Sequence, residues 1–225
     1  MGILQDRDTR IRVLPFVVFI ALLALRGVWP DESAPLGIDS RLLYALQAGA
    51  TGALLLLWWR GYAELLRSPR LGQLALSVAV GLAVCWVWVN LDEPWMRIGE
   101  ASASFEPIGD DGRLLWGLIA VRWLGATLVV PVMEELFWRG FLMRWLERVD
   151  FTAVDARSVG LRAVLASTCV FTLAHTEWLA AAIAGLAYAL LYRATGSLWT
   201  AVVAHAVTNG VLGAWVVLFG HWRYW

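Results

Sequence analysis

Leu124-Gly125-Ala126-Thr127-Leu128-Val129-Val130-Pro131-Val132-Met133-Glu134-Glu135-Leu136-Phe137-Trp138-Arg139-Gly140-Phe141-Leu142 is the stretch on which the reading of this chain turns. An apolar run that begins near Leu114 reaches Met133 and does not stop there. The pattern continues through two glutamates and an arginine, and the helix is expected to end near Glu147 or Arg148. A bilayer is crossed by about 20 apolar residues. Charges inside such a span are costly unless paired or wetted, so they are functional suspects by default.

The rest of the 225-residue chain agrees with a membrane setting. It is 60% hydrophobic and 16% charged, whereas soluble domains run near a quarter charged, about 25%. A soluble fold of this size has too little interior to hide so much apolar surface. Further apolar runs lie at residues 11–29, 42–59, 71–89, 163–174, 179–192 and 198–219. The expected fold is therefore all-α, a polytopic transmembrane helix bundle of about seven spans (six to eight). The fifth and sixth runs are short, which marks one of them as a candidate broken or re-entrant piece. The first run is read as a retained anchor, because it is too long for a signal peptide and Arg26-Gly27-Val28-Trp29-Pro30 is not a small-residue cleavage site. Nothing marks a linker or repeat, so residues 1–225 are read as one integral membrane domain, with 1–113 free of motifs and 114–219 as a catalytic helix core.

Many of the fifteen Trp sit at the ends of these runs (Trp29, Trp58, Trp59, Trp86, Trp88, Trp95, Trp199, Trp222 and Trp225), where amphipathic rings settle at the membrane interface. All 18 basic residues are Arg, which argues against a Lys nucleophile and against a polybasic arm for nucleic acid. The arginines gather at the N-terminus, around 60–70, around 144–162 and at Arg193, while residues 30–41 and 90–113 are neutral to acidic. That alternation predicts a cytoplasmic N-terminus. Cys85 and Cys169 lie in apolar stretches and read as small buried hydrophobes.

Three segments place polar groups in apolar helices. Glu135 and Arg139 are four apart, share a face and can pair. Glu134 is rotated about 100° away and is left without that partner; a carboxylate in such a site suits general acid–base work. His175 closes the run Val170-Phe171-Thr172-Leu173-Ala174. His205 and Asn209 are again four apart, and together they offer donors for an oxyanion. Each segment alone also has a structural reading: a helix end with a snorkelling arginine, an interfacial histidine, a polar helix–helix contact. Taken together, they are read as converging on one pocket, either as a divalent-metal site with Glu134, His175 and His205 as ligands or as a metal-free site in which Glu134 and a histidine activate water. The chain has no HExxH, no GxSxG and no aspartate pair in apolar runs, which removes the zinc-helix, serine and aspartyl routes.

Glu134-Glu135-xxx-Arg139, Phe171-xxx-His175 and His205-xxx-Asn209, in that order, resemble the three motifs of the CAAX-protease and bacteriocin-processing (CPBP, Abi) family, which includes the type II CAAX prenyl endopeptidases. The likeness spans residues 114–219. The stretch from Glu134 to Trp145 also resembles a bacterial branch associated with exosortase protein-sorting systems. The resemblance implies an intramembrane glutamate endopeptidase without a required cofactor, acting on a membrane-associated or lipidated protein and residing in the bacterial inner membrane. It further implies that Glu134 activates the water with help from His175, that His205 and Asn209 hold the oxyanion, that Glu135 and Arg139 fix the geometry, and that Phe171 packs. The competing expectations are a metal-dependent membrane hydrolase and a non-enzymatic Abi-type scaffold or immunity protein.

Overall fold

In the computed structural model, residues 6–28, 39–99 and 105–225 are described. Trp29, Pro30 and Glu100 lie outside them. Seven helices account for the seven apolar runs: α1 (Arg7–Gly27), α2 (Leu43–Leu57), α3 (Leu71–Asn90), α4 (Trp116–Glu147), α5 (Leu161–Leu173), α6 (Trp178–Thr195) and α7 (Leu198–Phe219). Among the described residues there is no strand, only an isolated bridge between Ile108 and Leu114. By length and composition α3, α4, α6, α7 and a stretch from Ser40 through α2 can cross a membrane. α5 has 13 residues, short for a full span, and α1 carries Arg7, Asp8, Arg10, Arg12 and Arg26. The chain is an integral membrane helix bundle, and its outward faces are apolar, as at Leu56, Leu128, Leu173 and Leu218. Apolar surface of this kind is what lipid covers.

The α5 helix shows how one face is sorted from the other. Ala163, Val164, Ser167, Thr168 and Phe171 turn inward, while Leu165, Cys169, Val170 and Leu173 turn out. Cys85 is buried as expected and Cys169 is not. The apolar context of Cys169 is the outward face, not the protein interior.

Small residues allow the inner helices to touch, as they do in membrane proteins. α3 and α7 form the most extensive pairing. A methyl group at Gly81 of α3 would overlap the Ala204 carbonyl and the Val207 side chain, and Thr208 of α7 donates to the Gly81 carbonyl at 2.9 Å. Gly185 of α6 plays the same part against Phe171 of α5.

One face of the bundle is closed by a charged knot. Glu64, in the connector between α2 and α3, accepts from Arg12 Nε and Nη2 at 2.8 and 2.7 Å and from Arg144 Nη1 at 2.8 Å. Arg144 also donates to the carbonyls of Val154, Gly140 and Thr152. Three buried side chains thereby tie α1, the α2–α3 connector, the end of α4 and the following loop.

The α4 helix is not a regular α-helix throughout. It widens to π geometry at Gly125–Val129 and Leu136–Leu142, on either side of Glu134 and Glu135. In the first widened turn the Val130 N–H reaches back to the Gly125 carbonyl. Pro131 follows and has no N–H to offer Ala126 in that register. π turns of this kind concentrate at functional sites.

Candidate active site

The free Ala126 carbonyl is where the site begins. Asn209 of α7 donates its Nδ2 to it at 2.9 Å, so the gap left by Pro131 is filled by a side chain of another helix. Sequence reading passed over Pro131, although a proline beside an acidic doublet in a span was a visible signal. The widening also changes which residues share a face. In an ideal helix Arg122 and Glu134 would stand about 120° apart. One extra residue in a turn takes back about 100° of that, and Arg122, Ala126, Val130 and Glu134 all line one cavity.

That cavity has a volume of about 310 Å³ and is also lined by His175, His205 and Asn209. The four residues expected to carry chemistry therefore meet, brought from α4, from the turn after α5 and from α7. Their individual settings differ. Glu134 is half-buried and its Oε2 has no hydrogen-bond partner. His175 donates Nδ1 to the Phe171 carbonyl at 2.8 Å, since a carbonyl can only accept. Its Nε2 is then left with a lone pair. The imidazole sits against Phe171, with ring centroids 4.3 Å apart, and edge-on to Trp88 at 6.0 Å.

Glu135 and Arg139 form the expected ion pair, Nη1 to Oε1 at 3.0 Å, with both side chains buried. The sequence did not reveal what else they hold. The same Glu135 oxygen lies 3.0 Å from His205 Nδ1, which connects the acidic doublet directly to α7. Arg139 donates Nη2 to the Gly185 carbonyl at 3.0 Å and lies over the Phe171 ring at 4.6 Å. His205 stacks on Tyr188 at 5.1 Å, and Tyr188 donates to Thr208 at 2.7 Å. An i,i+4 rule reads contacts within one helix; the Glu135–His205 contact spans seventy positions and follows from packing alone.

Among the described residues no three His, Cys, Asp or Glu side chains gather in a way that holds a metal ion. Glu134, His175 and His205 line one cavity without forming such a set. Their spacing does not fit a three-ligand ion.

A many-helix membrane bundle with a polar, partly unsatisfied cavity inside it defines a class, that of proteins with chemistry or transport at membrane depth. Residues 116–211 match the family model described as Type II CAAX prenyl endopeptidase Rce1-like, and this segment is what the chain shares with that family. The matched segment contains Glu134, Glu135, Arg139, His175, His205 and Asn209. The family is one of CAAX peptidases, hydrolases of peptide bonds at the membrane. No curated protein and no solved structure gives a significant match to the chain.

Proposed function

We propose that the chain is an intramembrane endopeptidase in which Glu134 is the general base. The observation that carries this reading is the meeting of Glu134, His175, His205 and Asn209 in one cavity. A water between Glu134 and a substrate carbonyl gives its proton to the unpartnered carboxylate oxygen as its oxygen attacks carbon. His175 assists from Nε2, its other nitrogen being held by Phe171. The oxyanion is met by the remaining Asn209 amide hydrogen and by His205 Nε2–H when the ring carries both protons. Glu135 then serves as the counter-charge to that ring. Collapse of the tetrahedral intermediate breaks the C–N bond, and the leaving nitrogen takes the proton that Glu134 accepted. Glu135 and Arg139 act as positioning residues, and the mechanism uses no metal.

The substrate is a membrane-associated or lipidated protein. The arginine-rich connectors support a cytoplasmic N-terminus in a bacterial inner membrane. In that orientation the cavity lies toward the extracytoplasmic side, for it is lined by the end of α1, the beginning of α2, the end of α3 and Tyr224 and Trp225. The test is hydrolysis of a membrane-anchored peptide library in proteoliposomes, followed by mass spectrometry. Glu134→Gln abolishes cleavage if the reading holds. Full activity in Glu134→Gln would falsify it, and loss of cleavage on chelation would turn it into the metal-dependent alternative.

A further inference from the structure

The cavity has a second end, and its chemistry is unmatched. Arg26 at the end of α1 and Arg122 near the start of α4 line it with Tyr44 and Gln47 of α2. Both guanidinium groups lie against the Tyr44 ring, at 5.8 Å for Arg26 and 4.3 Å for Arg122. Neither has an ion-pair partner among the described residues, and Arg26 Nη1 and Arg122 Nε are buried without any hydrogen bond. The Tyr44 hydroxyl and Gln47 Oε1 are unpartnered in the same way, while Gln47 Nε2 is spent on the Phe19 carbonyl at 2.9 Å. Two like charges left together at membrane depth are costly unless something of opposite charge meets them.

We infer that Arg26 and Arg122 form a carboxylate-binding subsite for the peptide substrate. Three unmet donors (Arg26 Nη1, Arg122 Nε and the Tyr44 hydroxyl) match the two oxygens of a carboxylate, which arginine engages well. The unmet acceptor, Gln47 Oε1, matches a backbone N–H beside it. A peptide end or an acidic side chain offers both groups. A phosphate diester offers no donor to Gln47. The subsite rests on reading the cavity as a peptide site, and it shares a face of α4 with Glu134. Twelve helical residues separate Arg122 from Glu134, about 18 Å along the axis. A fully extended peptide needs at least about five residues to cover that. The carboxylate therefore lies about five extended residues from the scissile bond.

The experiment is equilibrium binding to the full chain in proteoliposomes, in its Glu134→Gln form so that no probe is cut. The probes are a radiolabelled N-acetylated apolar hexapeptide as the free acid, its C-terminal amide, and the amide with an aspartate near its end. The acid is expected to bind at least about tenfold more tightly than the plain amide, the scale of a hydrogen bond to a charged group. Recovery of binding by the aspartate probe assigns the site to a side-chain carboxylate, and no recovery assigns it to the chain terminus; either supports the subsite. Arg26→Gln and Arg122→Gln should erase the preference for acid over amide, and Arg122→Lys should keep part of it. Equal binding of acid and amide by the Glu134→Gln form overturns the inference without any reliance on the arginine variants folding. So does a preference that survives both arginine changes, or displacement of the peptide by lysophosphatidic acid or inorganic phosphate at comparable concentration. The two readings fail separately. Glu134→Gln that still cleaves removes the mechanism and leaves the subsite, whereas absent acid–amide discrimination removes the subsite and leaves the mechanism.

Discussion

Two carboxylates in this bundle share their surroundings with arginine, and they end in opposite conditions. Glu64 has both oxygens satisfied by Arg12 and Arg144, and those arginines spend further donors on backbone carbonyls. Glu134 lines the cavity and has an oxygen with no partner, and Arg26 and Arg122 of the same cavity have no ion-pair partner among the described residues. A saturated buried network rigidifies a fold, and an unsaturated one is tolerated where a ligand or a reaction completes it. Glu135 stands between the two cases. One oxygen holds Arg139 and His205, and the other is unmet.

The comparison breaks most sharply if the two acids exchange their consequences. Glu134→Gln should lower cleavage by about two to four orders of magnitude, the usual worth of a positioned base, and leave thermal unfolding in detergent nearly unchanged. Glu64→Gln should do the reverse. It leaves two buried arginines undercompensated and should cost about 3–5 kcal/mol, read as a lower unfolding midpoint, with the kinetics of the surviving folded fraction intact. If Glu134→Gln unfolds the protein and Glu64→Gln only slows it, the division is wrong. Asn209→Ala is next. It removes the proposed oxyanion donor and the cap on the Ala126 carbonyl, and should lower kcat about a hundredfold with KM little changed.

The smallest effect tests an exposed carboxylate outside both clusters. Asp6 caps α1, accepting from the Thr9 backbone N–H and hydroxyl at 2.8 Å each. These bonds, the backbone one first, hold its pKa below the usual carboxylate value. A lowered folded-state pKa means the stabilisation is present above the unfolded value and is lost as pH falls through the folded one. Asp6→Ala should cost about 1 kcal/mol near neutral pH, and the difference from wild type should shrink on acidification. A difference that grows in acid would contradict the cap.

Much of the candidate site was legible in the sequence. The i,i+4 pairs Glu135–Arg139 and His205–Asn209 were read from spacing. The first is a direct ion pair, while the second lines the cavity with each member bonded elsewhere. The readable part was local, because helical periodicity relates residues a turn apart. The unreadable part was of two kinds. Arg26 and Arg122 sit within or beside apolar runs and were passed over as span charges, although an arginine inside a span is itself a signal. Glu64 looked like one more polar residue in an arginine-rich connector, and only the approach of α1 and the end of α4 shows its role.

By itself, then, the sequence determined that this is a polytopic helical membrane protein, because continuous apolar runs with charges at their ends have no other stable solution in lipid. It also determined which side chains are suspects, since charges at membrane depth are costly. Tertiary structure alone decided which glutamate reaches His205, which carbonyl receives Asn209, and that Arg122 looks into the same cavity as Glu134. Each depends on the phase of α4, which a widened turn shifts by about one residue, and on close approaches between helices at Gly81 and Gly185 that no pattern within a single helix encodes.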